Sequence, residues 1–287
     1  MKRFGQFIGI VLILVVVASL GIYAFTPQEK LLRYVAPQIK VVRISNLQIK
    51  KEQATMQLHL QATSPWLPVY ISKLQYYFKI FDQSVARGSQ SFTNAQNGKV
   101  QPINLSIRAN YPQILPLLQR QLADSTPVNA SFNLTCRVPL AGIQTIATQA
   151  TLPIEIPIII VPEITSLATE EIGFQHMQVV LTLQVSNPNK YDYYLRNLSV
   201  SAQFPGYKAV ADNIPANYLI KTNQVTPIKI TSAKAIEKLD KNNLFRANNT
   251  LAYQLNTTLI LEPVGVPIDK INFQATRSGS VTVPPGI

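Results

Sequence analysis

The sequence predicts a mostly β protein: two tandem antiparallel β-sandwiches, each with one short helix, behind an N-terminal transmembrane helix. Three observations predict it. Apolar and polar residues alternate with period two through many short segments. Those segments recur in the same order at an offset of about 120 to 125 residues. A long uncharged apolar run opens the chain.

The apolar run is "FIGIVLILVVVASLGIYAF", residues 7–25, with Lys2 and Arg3 before it and no charge between Arg3 and Glu29. At 1.5 Å per residue, about 20 apolar residues cross the hydrocarbon core. A cleaved signal peptide is the rival reading, but its apolar region spans about 7–15 residues. Residues 1–27 are therefore read as an uncleaved signal anchor, followed by a juxtamembrane stalk over 28–35. The basic flank keeps the N-terminus cytoplasmic. The expected protein is single-pass and membrane-anchored, with its domains on the extracytoplasmic (periplasmic) side, where nucleic acid is not a partner.

The repeat is visible as paired strings. "RISNL" at 43–47 answers "EITSL" at 163–167, and "MQLHLQATSP" at 56–65 answers "VVLTLQVSNP" at 179–188. "ISKLQYYFKI" at 71–80 answers "LRNLSVSAQF" at 195–204, and "VQPINLSI" at 100–107 answers "VTPIKITS" at 225–232. This sets a first domain at 36–157 and a second at 158–287. The join, "IEIPIIIVPEI", is stiff and apolar rather than Gly/Ser-rich, so the domains are expected to meet with little freedom. Its apolar run 156–161 is expected to be buried at the junction.

Within each copy the strands alternate: Met56, Leu58, Leu60 and Ala62 face one way, and Val179, Leu181, Leu183 and Val185 do the same in the second copy. The helix of the first copy is expected in "YPQILPLLQRQLAD", 111–124, starting late, near Pro116. Its counterpart is expected in "SAKAIEKLDKNNLF", 232–245, with Ser232 as N-cap.

Composition narrows the function. Hydrophobic residues make up 47% of the 287 and charged residues only 14%, so surface polarity must come largely from amides and hydroxyls. The net charge of +12 favours anionic neighbours. A single cysteine, Cys136, excludes a disulfide framework and a cysteine metal site. His59 and His176 fall in different domains at positions the repeat does not match. The sequence contains no phosphate-cradling or nucleophile-elbow string. The expectation is a protein that is not an enzyme and takes no cofactor and no metal.

The second domain resembles the late embryogenesis abundant group 2 family, also called the WHy (water stress and hypersensitive response) domain. The strings that carry the resemblance are "EITSL", "LQVSNPNKYDYYLRNLSVSAQF", "VTPIKITSAKAIEKL" and "LAYQLNTTLILEPVGVPIDKINFQATRSGSVTVP". Asn187, Pro188, Leu195 and Gly265 occupy characteristic positions. The first domain has Ser64-Pro65 where the second has Asn187-Pro188-Asn189. The resemblance implies seven-stranded immunoglobulin-like sandwiches and a non-enzymatic role in desiccation, salt or cold stress. The Asn-Pro-Asn break is read as structural punctuation, with both asparagines bonding to the backbone.

Two features suggest contacts. Trp66, Tyr70 and Tyr77 belong to an aromatic stretch, and Lys30, Arg33 and Lys40 to a basic juxtamembrane segment suited to anionic lipid. Packing within or between the domains accounts for the aromatics equally well, and a solvated stalk for the cations. Lipid binding or transfer at the envelope, and an envelope assembly scaffold pairing with a protein partner, are the alternative functions.

Overall fold

In the computed structural model, residues 36–64, 69–92, 100–125, 128–138, 142–152, 156–171, 176–204, 210–231, 236–237 and 250–282 are described. The expected anchor and stalk, with Lys30 and Arg33, lie outside those residues, as do Pro65 and Trp66 of the first domain. Among the described residues, no helix is long and apolar enough to cross a membrane.

Alternation becomes strands throughout. The first unit contains β1 (Gln38–Ile49), β2 (Gln53–Thr63), β3 (Tyr70–Ile80), β4 (Gln83–Ser91) and β5 (Val100–Asn110), then α1 (Tyr111–Asp124), β6 (Val128–Val138) and β7 (Gly142–Leu152). The second contains β8 (Glu163–Glu171), β9 (His176–Ser186), β10 (Tyr193–Gln203), β11 (Val210–Ile220) and β12 (Val225–Thr231). It continues with β13 (Ile236–Glu237), β14 (Thr250–Pro263) and β15 (Ile271–Thr282). Each unit pairs its strands alike. β1-β2-β5 matches β8-β9-β12, and β4-β3-β6-β7 matches β11-β10-β14-β15.

The two sheets of a unit face each other through their apolar rows. Leu58 and Leu60 of β2, Leu74 and Phe78 of β3, Leu105 of β5 and Phe132 of β6 are all buried. Tyr76 crosses between the sheets, donating from its hydroxyl to Ser106 C=O at 3.1 Å. Tyr253 does the equivalent in the second unit, accepting Ile164 N–H at 3.3 Å. Each tyrosine lies over a glycine on the neighbouring strand. A Cβ at Gly88 would stand 2.6 Å from Tyr76 Cζ, and one at Gly279 would stand 2.6 Å from the Tyr253 hydroxyl.

The sequence leads one to expect only antiparallel sheets, one pair per domain. Instead β1 pairs in parallel with β15, Leu47 through Ile49 beside Ile271 through Phe273. Ile44 N–H also bonds Pro267 C=O, and Asp269 N–H bonds Ile44 C=O, each at 2.9 Å. This seam merges one sheet from each unit into a seven-stranded sheet, β11-β10-β14-β15-β1-β2-β5. The physical reason is an edge: β15 ends the four-stranded set of the second unit, and β1 covers its unpaired backbone groups.

The expected start of the first helix needs correction. α1 starts at Tyr111, not near Pro116, because Asn110 caps it, its side chain accepting Gln113 N–H at 3.1 Å. Pro112 then occupies the first turn, where a missing N–H costs nothing. Pro116 sits inside the helix, tolerated while Ile114 and Leu118 are buried against the core. Of the second expected helix, 232–245, only Ile236 and Glu237 are described; these two are strand, paired with Met177 and His176 of β9, and the rest of the stretch lies outside the described residues.

Candidate functional site

The outer face of the seven-stranded sheet is built from the polar half of each alternation. Inward positions of β14 are Tyr253, Leu255, Leu259 and Leu261, all buried, so Asn256 and Thr258 point outward. The same parity turns out Ser199 and Ser201 on β10, Gln274 and Thr276 on β15, Gln57 and His59 on β2, and Asn104 and Ser106 on β5. Amide and hydroxyl pairs bridge adjacent strands across this face. Asn197 donates to Asn213 at 2.9 Å, Thr276 to Asn256 at 2.8 Å, and Asn46 to Gln57 at 2.9 Å.

His59 links three strands. Its Nδ1 lies 2.6 Å from Asn104 Oδ1, an acceptor, so Nδ1 carries the proton and Ser45 Oγ–H donates to Nε2 at 2.6 Å. The imidazole is thus a half-buried structural bridge rather than a free base. Towards one edge, Arg196 bonds Glu262 at 2.8 Å and stacks 4.8 Å over Tyr194. That guanidinium holds the Glu262 carboxyl below its ordinary range. Two shallow depressions mark the face. One of about 440 Å³ is lined by Ser199, Ser201, Asn256, Thr258 and Gln274 with Lys50 and Lys51 at its border. The other, about 590 Å³, is lined by Asn46, Gln48, Gln57, Ser106 and Arg108. Neither contains a nucleophile next to a base. Among the described residues, no three of His, Cys, Asp or Glu gather as metal ligands. Cys136 is fully buried, and burial pushes its thiol up to about 12.

The Asn-Pro-Asn stretch lies elsewhere, at the junction of the units. Asn187 and Asn189 are buried, while Pro188 is exposed. Asn187 Oδ1 accepts Asn189 N–H at 3.0 Å, and its Nδ2 donates to Tyr191 C=O at 2.8 Å. Asn189 reaches out of the turn to the join: Oδ1 accepts Ile158 N–H and Nδ2 donates to Ile158 C=O. The next amide, Ile159 N–H, bonds the hydroxyl of Tyr111 at the start of α1, at 2.9 Å. Lys190 bonds Ser125, just past α1, at 2.5 Å. Within the run 156–161, Ile156, Pro157 and Ile160 are buried and the others half-buried. The two asparagines therefore bind the chain to itself, and no ligand is needed to account for them.

The remaining residues singled out in the sequence are dispersed. Leu195 is fully buried in β10, and Gly265 takes φ +76 in the β14–β15 turn, a conformation suited to glycine. Ser64 is buried at the end of β2. Tyr70 is half-buried at the start of β3, and Lys40 is exposed near the start of β1. Tyr77 is exposed in mid-strand, seven residues beyond Tyr70 and beside Arg87 and Ser131. The amide- and hydroxyl-rich surface expected from the composition falls on this face, at every second position of its strands.

No family model matches the chain, and no curated protein matches it. Among solved structures, it is similar to a protein from Archaeoglobus fulgidus at 12% identity and TM-score 0.30, over 40% of this chain and 92% of that one. A putative late embryogenesis abundant protein is similar at 17% identity and TM-score 0.30, over 44% and 72%. A protein of Arabidopsis thaliana is similar at 14% and 0.29, over 43% and 81%.

Proposed function

We propose that this chain is a membrane-anchored envelope protein with tandem late embryogenesis abundant group 2 domains. In this reading it protects neighbouring membranes and proteins during drying, cold or salt stress. The observation that supports the reading is the outer face of the shared sheet. It is broad, rich in amides and hydroxyls, and nearly free of exposed apolar residues at its centre. Such a face replaces water as hydrogen-bond partner for a dehydrating neighbour while offering little to aggregate. Replacing Ser201, Thr258 and Gln274 with valine tests it, because the strands keep their inner faces. Cells carrying this variant should survive drying as poorly as cells lacking the gene. Full survival of either strain overturns the proposal.

Two other readings receive less support. Lipid transfer needs an apolar chamber, and an apolar pocket among the described residues of the first unit, bounded by Met56, Phe78, Val85, Ile107 and Ile114, holds about 20 Å³. That volume suits one water, not an acyl chain. A strand-pairing scaffold needs open edges: the edge strands β5, β11 and β12 are blunted by Pro102, Pro215 and Pro227, whereas the edges β4, β7 and β8 carry no proline.

A further inference from the structure

The acidic residues described in the first unit gather at one of its ends. Between positions 36 and 157 the acidic residues are Glu52, Asp82, Asp124 and Glu155, the last outside the described residues. Glu52 lies in the β1–β2 turn, Asp82 in the β3–β4 turn and Asp124 in the last turn of α1. The first three share the end that meets the second unit, where Lys190 bonds Ser125, with the exposed cations Lys50, Lys51, Lys79, Arg108 and Arg120.

The opposite end, where β1 begins, holds exposed cations with no acid among its described residues: Lys40, Lys73 and Arg137. Strand register groups them. Lys40 is level with Gln61 and Pro102, close to where β2 ends and β5 begins. Tyr70, Arg137 and Ile143 form one cross-strand row on β3, β6 and β7. Gln101 Nε2 donates to Val69 C=O, which ties the start of β5 to the start of β3. Solvent-facing apolar side chains share the same end, Ile143 at 69% exposure and Val100 at 52%.

Cations interleaved with exposed aliphatic side chains, and no acid to oppose them, match an anionic lipid surface. Chain geometry agrees. β1 begins at this end, and residues 26–35 reach back no more than about 35 Å to the apolar run 7–25. We propose that Lys40, Lys73, Val100, Arg137 and Ile143 dock the first unit end-on against the anionic bilayer that holds the chain. The inference rests on the anchored reading above and adds the docking face and its lipid preference.

The test uses the full chain in nanodiscs of phosphatidylcholine, alone or mixed with phosphatidylglycerol, with a nitroxide quencher on the headgroups. A fluorophore is placed on Thr145→Cys, beside Ile143, or on Thr276→Cys in the second unit; buried Cys136 stays unlabelled. Several-fold stronger quenching at 145 than at 276 is expected in anionic discs. That excess should disappear at high salt and in the triple variant Lys40→Gln, Lys73→Gln, Arg137→Gln, whose unfolding midpoint should be unchanged. Equal quenching at both positions, whatever the lipid, overturns the docking. Extraction of the chain by alkaline carbonate overturns the anchor instead, and quenching by added vesicles then decides the docking on its own.

Discussion

Asn189 grips the peptide of Ile158 from both sides: its Oδ1 accepts the Ile158 N–H at 2.6 Å, and its Nδ2 donates to the Ile158 carbonyl at 3.0 Å. One side chain thus imitates a neighbouring strand for a segment that has none. Replacing Asn189 with alanine leaves both backbone groups without this partner, each omission costing about 1–3 kcal/mol. A loss of about 2–4 kcal/mol is expected in urea unfolding, with faster proteolysis between positions 153 and 161. Unchanged stability would mean that water replaces the amide freely.

Tyr111 holds the next residue of the join from the other unit. Tyr111→Phe keeps the ring in its buried site and removes the acceptor for Ile159 N–H. About 1 kcal/mol should be lost. The loss should be smaller when measured in the Asn189→Ala background, since both side chains restrain adjacent residues.

The parallel seam makes the two units one cooperative body. Calorimetry should record a single unfolding transition, and two resolved transitions would contradict the seam. Ile49 is fully buried at the seam. Ile49→Ala should cost about 2–5 kcal/mol and lower that one transition as a whole.

Gly88→Ala and Gly279→Ala test the tyrosine-over-glycine packing. Each new methyl group pushes a tyrosine ring away from its bond to the opposite sheet. About 1–3 kcal/mol should be lost at each site. Exchanging Tyr76 for leucine should shrink the penalty at Gly88, because the hydroxyl and Cζ that the methyl meets are gone.

Alkali should destabilise the fold. Burial pushes the Cys136 thiol from an ordinary 9.0 up to about 12, and raises the hydroxyls of Tyr193, Tyr76 and Tyr111 above 10.0. These groups stay neutral when folded but ionise when unfolded. Through these groups stability is level between about pH 5 and 8 and falls as pH rises from about 9 towards 12, the thiol alone contributing up to about 1.4 kcal/mol per unit, while the lowered carboxyls of Glu262 and Asp192 weaken the fold again in acid. Native Cys136 should also resist alkylation at pH 8 and react at once in denaturant. Rapid native reaction would show that the thiol is not enclosed.

Much of the fold was legible because alternation and repetition are local signals. Leu58, Leu74, Leu183 and Leu198 could be assigned to the interior from spacing alone. The seam could not, because Leu47 and Ile271 are distant in the chain and look like any inward-facing pair. α1 was misplaced at its start because Pro116 reads as a breaker, and the sequence does not reveal how strongly burial of Ile114 and Leu118 compensates. The Asn-Pro-Asn turn was recognisable from Pro188. Asn189's hold on Ile158 was not, since that partner is 31 residues away. The place of the polar face was hidden for a simpler reason: serine, threonine and asparagine are ordinary on any solvated strand, and only the merging of two sheets makes them a surface.

The direction of the seam has a mechanical consequence. Because β1 and β15 run parallel, the start of β1 and the end of β15 point to opposite ends of the shared sheet. A pull between those two points loads the seam along its length. Its hydrogen bonds must then yield together rather than open one after another. The first described strand is the strand that closes the second unit, so a pull on it is carried into the second unit through this seam.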